Sequence, residues 1–283
     1  MDNLFDLENK SIVIFGGRGY LGTQFTEVLL KYGAIVHSVD IKDVNKTNTN
    51  NIEQLKTEYP NKLCFYNCNA TNKNEIEQVR EEIKEKGFQI DVLINAITQK
   101  GEDFYKPFEK VSLEGWKIGI NGNLTAAFLA CQVFVPDMVE SKQGSIINIS
   151  SIYGIVGNDQ RIYRGSNLDK CYLDNESINS DDEEEQIYSH PVYPAAKGGV
   201  IALTKYLAAY YGKYNVRVNA ISPGGVSYPE ESESFIKNYS DRTPLGRKAR
   251  PDEINGAIIF LSSRASSYVT GHNLVVDGGW TIW

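Results

Sequence analysis

Cysteine is scarce. The chain has four in 283 residues, Cys64, Cys68, Cys131 and Cys171, and no CxxC pair among them. That excludes a disulfide framework and favours buried structural thiols in a reducing compartment over metal ligands or redox centres. Cys64 and Cys68 lie four apart in a strand-like run, which puts them on one face. Long apolar runs are missing too. Residues 1–10 are acidic and polar, and the run Ser11–Phe15 is far too short for a signal sequence. No stretch approaches the roughly 20 apolar residues that span a bilayer. Positive charge is in deficit: the formal net charge is −7, which argues against general affinity for nucleic acid or anionic membrane. With 41% hydrophobic and 23% charged residues, the chain has the composition of an ordinary soluble protein with a sizeable core. A cytoplasmic location is expected.

Short apolar runs alternate with helical patterns. Strands are expected at Ser11–Phe15, Ile35–Asp40, Lys62–Cys68, Val92–Asn95, Ser145–Ser150 and Val216–Ile221. Helices are expected at Gly22–Tyr32, Asn74–Lys86, near Leu113–Gln132, and from about Pro194 to Tyr211. All-apolar strands separated by helices predict a parallel sheet covered on both faces, an α/β, doubly wound, Rossmann-type architecture in one domain over 1–283. Such sheets bind ligands beyond the carboxyl ends of their strands. One stretch breaks the rhythm. From about Asn158 to His190 neither periodicity is visible, and Asp181–Glu185 is entirely acidic. Nine carboxylates there face Arg161, Arg164 and Lys170, so this segment carries nearly the whole charge excess. It reads as an insertion within one domain, functional or disordered, not as a linker.

The first strand runs directly into Gly16-Gly17-Arg18-Gly19-Tyr20-Leu21-Gly22 and then a helix. Glycines in that place let the backbone turn tightly, approach a pyrophosphate and leave its charge at a helix N-terminus. Asp40 ends the second strand, where a carboxylate can accept both ribose hydroxyls of an adenosine and would repel the extra phosphate of NADP. NAD is therefore the expected cofactor and NADP the lesser candidate. Arg18 is the counterweight, since a guanidinium near the turn could hold that phosphate; it could equally be a solvated turn residue.

Tyr193 and Lys197 stand four apart on one face of a helix start. A phenol, with an ordinary pKa near 10, is a poor acid or base at neutral pH, and an ammonium beside it favours the phenolate. Ser150 and Ser151 end a strand and place two hydroxyls at the carboxyl edge of the sheet.

With these pieces assembled, the chain resembles the short-chain dehydrogenase/reductase family. The matching residues are the glycine turn, Asn95-Ala96, Trp116 with Asn123 seven on, Ser151, Tyr193 with Lys197, Pro223-Gly224 and the ending Val276-Asp277-Gly278-Gly279-Trp280, in the family's order over nearly the whole chain. The resemblance implies Tyr193 as proton donor and acceptor, with Lys197 depressing its pKa and holding the nicotinamide ribose. It implies Ser151, rather than Ser150, on the substrate oxygen, and Asn123 holding a water in a proton relay. Gly16, Gly19, Tyr20, Leu21, Gly22, Asp40, Asn69, Ala70, Asn95, Ala96, Pro223 and Gly224 would line the cofactor, with no metal.

Departures from the pattern stand out. Phe15 replaces a Thr, and the spacing of Gly16, Gly19 and Gly22 is that of the larger sugar-nucleotide branch. Asn69 replaces an Asp that contacts adenine, though its amide oxygen can accept the same bond. Ile97 follows Asn95-Ala96 in place of Gly, and Tyr228 occupies the place of a Thr. About forty residues separate Ser151 from Tyr193, many more than the family needs, and the insertion accounts for them.

Because the insertion re-enters just before Tyr193, it should overhang the reacting carbonyl. Its Arg161, Tyr163, Arg164, Tyr172, Tyr188 and His190 are suitable partners for hydroxyls or a phosphate, and Ser227–Arg247 is the other expected mobile wall. The tyrosine-rich insert and Ser150-Ser151-Ile152-Tyr153-Gly154 are similar to reductases of flagellin and surface-polysaccharide sugar synthesis, which implies a sugar-like substrate. The expected activity is hydride transfer between nicotinamide and a secondary alcohol or ketone of a small polar molecule. The alternatives are a sugar-nucleotide epimerase or dehydratase, for which a separate substrate domain is wanting, and a dinucleotide-sensing protein without turnover. Family members of this size commonly form homotetramers, and the Gly278–Trp283 tail, with two tryptophans, is the expected packing surface.

Overall fold

The first strand, β1 (Ser11–Phe15), is buried at all five positions, and its side chains leave alternately by opposite faces. Val13 and Phe15 enter one apolar core, and Ile12 and Ile14 enter another. That double burial fixes β1 at the middle of a three-layer structure. In the computed structural model, which describes residues 3–41, 49–172 and 186–283, the elements alternate as the periodicity requires. After β1 come α1 (Tyr20–Lys31), β2 (Ile35–Asp40), α2 (Thr49–Glu58), β3 (Leu63–Asn67), α3 (Lys73–Glu85) and β4 (Val92–Asn95). Next are α4 (Leu113–Ile120), α5 (Ala126–Glu140), β5 (Gly144–Ile149), α6 (Leu168–Tyr172) and α7 (Val192–Tyr211). The chain closes with β6 (Val216–Pro223), α8 (Glu233–Ser240), α9 (Asn255–Ser262) and β7 (Asn273–Val276).

The sheet is parallel throughout, in the order β3-β2-β1-β4-β5-β6-β7. The chain winds outward from β1 to β3, returns to β4 on the other side, and winds outward again. The switch falls between β1 and β4, where Phe15 is in register with Asn95, and it opens a crevice at the carboxyl ends. Helices α3 and α5 cover one face through Ile76, Val79, Ala130 and Phe134; α1 and α9 cover the other through Phe25, Leu29, Ile258 and Leu261. Cys64 and Cys68 share the first of these cores, as their spacing predicts.

Several expected boundaries move. The helix expected near Leu113–Gln132 runs on to Glu140 and is interrupted by a π-turn at Asn121–Thr125. Its length and apolar character would suffice to cross a membrane, yet 56% of its most apolar 18 residues are buried inside the molecule, as in a core helix. The insertion is not without structure: Gln160–Tyr163 forms a 3-10 turn and Leu168–Tyr172 a short helix. Ile162 and Leu168 there are buried with Phe104, Val192, Phe235 and Trp280 in a third apolar cluster beyond the strand ends. The acidic run Asp181–Glu185 lies outside the described residues.

Candidate functional site

Strand β1 ends and the chain reverses at Gly16, whose φ of +79° suits only glycine without strain. A Cβ on Gly16 would meet the Ala96 carbonyl oxygen at 2.7 Å, and one on Gly22 would overlap the Gly16 carbonyl oxygen. The loop is thus pressed between α1 and the end of β4, with no room for side chains. Gly19 is the N-cap of α1; it offers no capping side chain, and the first turn carries no acidic residue. The N–H groups there suit an external anion, so the loop fits the pyrophosphate of a dinucleotide.

Asp40, at the end of β2, accepts the Arg18 N–H on Oδ2 at 3.0 Å and the Ile41 N–H on Oδ1 at 2.9 Å. Burial raises its carboxyl above the ordinary range, against the opposing pull of those N–H groups and the Arg18 charge. Arg18 is neither solvated nor turned toward a phosphate. It is buried, and its Nη2 donates to the carbonyls of Asp40 (2.9 Å) and Ile41 (3.0 Å) and to Asn67 Oδ1 (2.8 Å), tying together the ends of β2 and β3. The Asn69 amide oxygen accepts the N–H and hydroxyl of Thr71, at 3.0 and 2.8 Å. Tyr228 leans on Tyr20, with ring centroids 4.7 Å apart, and Tyr20 donates its hydroxyl to the Ser227 carbonyl at 2.7 Å.

On the other side of the crevice four expected residues converge. Tyr193 lies in the first turn of α7, and Ser151, just beyond β5, stands beside its phenol. Lys197, one turn on, lies under the tyrosine with Nζ 5.6 Å from the ring centroid. Its ammonium is 1% exposed and donates to the carbonyls of Ile149 (3.0 Å) and Ile97 (3.4 Å), which pins it at the ends of β5 and β4. Burial lowers Lys197 to about 8. Burial also raises the Tyr193 phenol above its ordinary value, in spite of the neighbouring Ser151 hydroxyl that pulls it down. The depression expected from Lys197 is therefore not what prevails in the protein alone. Ser150 is excluded from the serine position: its hydroxyl donates to the Lys197 carbonyl at 2.8 Å, on the inside of the helix.

Asn123 lies in the π-turn, which packs against α7. Its Nδ2 donates to the carbonyls of Gly119 (2.8 Å) and Gln99 (2.9 Å), while its buried Oδ1 has no protein partner. Widened turns of this kind aim a side chain out of an α-helical ladder, and they recur at functional sites. Asn95 behaves differently. Its Nδ2 bridges to Asn148 Oδ1 at 2.8 Å, joining β4 to β5 below the crevice, which is a scaffold role. Pro223 ends β6, and the Gly224 N–H donates to the Val276 carbonyl at 2.9 Å, with the Cα of Asp277 close enough to exclude a side chain.

The insertion's expected ligands mostly turn elsewhere. Tyr163 and His190 are buried, Arg161 pairs with Asp159 at 2.8 Å, and the Tyr172 side chain lies outside the described residues. Trp280 does not face outward either: it stacks on Tyr239 of the same chain, centroids 4.3 Å apart, whereas Trp283 is exposed. Sequence reasoning missed a polar cluster beside the site. Lys100 lies near the rings of Phe104 and Tyr105, and burial lowers its ammonium to about 7 against the opposing charge of Glu231. Glu231 and Lys248 form a buried ion pair. No spacing motif marks these residues, which lie far apart in the chain. Tyr193, Ser151, Lys197 and Asn123 together can pass a proton to or from a substrate oxygen beside a dinucleotide crevice.

Comparison with known proteins agrees in extent and kind. A family model described as short chain dehydrogenase matches residues 10–166, and one described as enoyl-(acyl carrier protein) reductase matches 177–281. A 3-oxoacyl-(acyl-carrier-protein) reductase of Thermotoga maritima is 32% identical, over 98% of this chain and 99% of that protein. A 5-keto-D-gluconate 5-reductase of Escherichia coli is 31% identical, over 99% of this chain and 98% of that protein. The crystal structure of a short chain dehydrogenase from Leptospira borgpetersenii with bound NAD+ is similar with a TM-score of 0.80 at 32% identity, covering 99% of this chain and 96% of that one.

Proposed function

The chain belongs to the short-chain dehydrogenase/reductase family, and on that premise we propose that it moves a hydride between NAD(H) and a secondary alcohol or ketone of a small polyol- or sugar-like substrate. Membership makes it an oxidoreductase acting on CH–OH groups with a nicotinamide cofactor. The observation that carries the finer reading is the placement of Tyr193 over the buried Lys197, 5.6 Å from its ring centroid, with Ser151 beside the phenol. The nicotinamide, when bound, supplies or accepts the hydride. Tyr193 gives the proton to the substrate oxygen in reduction and takes it in oxidation. Ser151 holds that oxygen and stabilises the charge developing on it. Lys197 holds the ribose hydroxyls and keeps a positive charge beside the phenol. Asn123, through Oδ1, extends the proton path toward water.

The preference for NAD rests on Asp40 with Arg18. A carboxylate at the end of β2 repels a ribose phosphate, and the guanidinium that could neutralise one is engaged by strand-end carbonyls. The polar substrate rests on the cluster of Lys100, Glu231 and Lys248 beside the site and on the sugar acid named for the Escherichia coli relative. An acyl thioester, suggested by the Thermotoga maritima relative, is the second reading. A screen at 340 nm decides between them. Polyols and sugar acids with NAD+, and keto-sugars and a 3-oxoacyl thioester with NADH, are offered in turn. Net change in NADH with the sugar compounds is expected; change with the thioester alone overturns the polar reading. An altered sugar without net NADH change would mark an epimerase or dehydratase.

A further inference from the structure

Three residues before Tyr193 the chain buries a histidine that the reaction does not use. His190 is 1% exposed and lies flat on Phe104, centroids 5.3 Å apart and planes 11° from parallel. Phe104 in turn meets Tyr193 edge-on at 6.1 Å. Nδ1 of His190 accepts the Val192 N–H at 3.0 Å, and its carbonyl accepts the Tyr193 N–H at 3.3 Å. The N-cap of α7 is Pro191, which has no capping side chain, so His190 does the capping from one residue further out. A ring nitrogen that accepts carries no proton, so the neutral imidazole holds its proton on Nε2. That atom faces Asp103 Oδ1 at 3.6 Å, and neither has a hydrogen-bond partner. Burial keeps His190 below its ordinary pKa and the ring neutral, although Asp103 pulls the other way.

Asp103 reaches to a second helix. Its Oδ2 accepts the N–H and the hydroxyl of Ser112, at 2.7 and 2.8 Å, and Ser112 caps α4 by accepting the Gly115 N–H at 2.9 Å. A Cβ on Gly115 would overlap the Asp103 carboxylate, so the carboxylate packs directly on the helix backbone. At the far end of α4, a Cβ on Gly119 would meet Val192 at 2.5 Å, and the Gly119 carbonyl accepts Nδ2 of Asn123. The contacts thus close a ring. Asp103 holds the start of α4 and faces His190; His190 holds the start of α7; Val192 and Gly119 set the two helices against each other beside Asn123.

We propose that His190, facing Asp103, is a positioning residue that fixes the Tyr193 hydroxyl relative to Ser151 and Asn123 by locking the start of α7 against α4. It touches no reacting atom and acts through Tyr193. The proposal rests on the reading of Tyr193 as acid and base, and reacting groups misplaced by about 1 Å can lose roughly 100-fold in rate.

The test uses the full chain with NADH and the substrate established by the screen. His190→Phe keeps the stack on Phe104 but loses the Nδ1 acceptor and the Nε2 donor. His190→Asn restores an acceptor for the Val192 N–H through its side-chain oxygen. His190→Phe is expected to lower kcat about tenfold or more with KM and NADH affinity within twofold. The isotope effect from deuterated NADH should rise as the chemical step becomes limiting, and amide exchange should quicken at Val192 and Tyr193. His190→Asn should recover much of the lost kcat. A folded His190→Phe with wild-type kcat, isotope effect and exchange overturns the proposal and leaves the histidine as core packing. If His190→Phe does not fold, His190→Ala, which also loses the Nδ1 acceptor, is measured with Asp103→Ala on the same readouts; wild-type kcat, isotope effect and exchange in both overturns it equally. Tyr193→Phe separates the two claims. Turnover surviving in that variant removes the acid–base reading itself, whereas an inactive Tyr193→Phe beside an unaffected His190→Phe removes only the positioning role.

Discussion

Arg18 and Asp40 hold each other through the main chain: the Asp40 carboxylate accepts the Arg18 N–H at 3.0 Å, and the Arg18 guanidinium donates to the Asp40 carbonyl at 2.9 Å. One residue therefore shapes the glycine loop while the other is withdrawn from it. NAD is expected to bind much more tightly than NADP. Asp40→Ala should weaken NAD about tenfold, near 1.4 kcal/mol, and narrow the gap between the two. Fluorescence titration with both nucleotides checks this. Equal affinities in the unmodified protein would return the phosphate to Arg18.

Tyr193 and Lys197 are expected to fail in different ways. Tyr193→Phe removes only a hydroxyl, so turnover should fall by roughly 10²- to 10⁴-fold while NADH binding stays nearly intact. Lys197→Ala should damage both, because the ammonium lies 5.6 Å from the phenol ring and, on the proposed reading, also holds the ribose. Steady-state rates set beside NADH titrations of the two variants check the split. Equal loss of NADH affinity in both would contradict it.

The insertion is part of the core at its ends. Ile162, 1% exposed, is packed with Val192 and Phe235. Ile162→Ala should cost about 2–4 kcal/mol by leaving a cavity under the catalytic helix. Urea denaturation measures it; a loss below about 1 kcal/mol would return the insertion to a loose flap. Shortening 158–190 to a tight connection should accordingly destabilise the protein, beyond raising KM.

How much of this was legible follows from which residues carry local signals. Buried parallel strands expose little polar surface, so Ser11–Phe15 and Val92–Asn95 stand out as largely apolar runs, and both fall where expected, as does Ile35–Asp40 despite its His37 and Ser38. Of the elements not expected, α2 and α8 are largely polar, and α6, α9 and β7 are only four to eight residues long, with burial decided by the neighbours they pack on. Tyr193, Lys197, Ser151 and Asn123 were found because motif spacing survives in sequence. Arg18 was misjudged because its role depends on carbonyls at the ends of two other strands, and Asp103 was missed because its partner is 87 residues away. Contacts that the fold alone creates leave no mark at fixed spacing.

Assembly is expected through α5 and α7. Tyr206 and Tyr210 stack on each other, 62% and 55% exposed, and Phe128 on α5 is 43% exposed. Large apolar side chains grouped in this way favour a covered face. A homotetramer is expected, with this face and not Trp280 at its interface. Tyr206→Glu combined with Tyr210→Glu should halve the mass seen by light scattering at micromolar concentration. A monomeric unmodified protein would refute the proposal.

The last expectation concerns pH. Lys197 falls to about 8 in the folded chain because burial disfavours its charge, whereas an unfolded lysine titrates near 10.4. Between these values the unfolded state holds the proton and the folded state does not, so this group makes stability rise with pH across that window. Below about pH 8 both states are protonated, and the full cost of the buried ammonium is present. Lys197→Met removes that cost but also two hydrogen bonds, a loss independent of pH. The stability of the variant relative to the unmodified protein should therefore be about 1–2 kcal/mol less favourable at pH 9.5 than at pH 7. Urea denaturation of both proteins without nucleotide, at the two pH values, gives this difference directly. A difference that does not change with pH would show that Lys197 is solvated or paired in the folded chain, and the ribose-holding ammonium would have to be sought elsewhere.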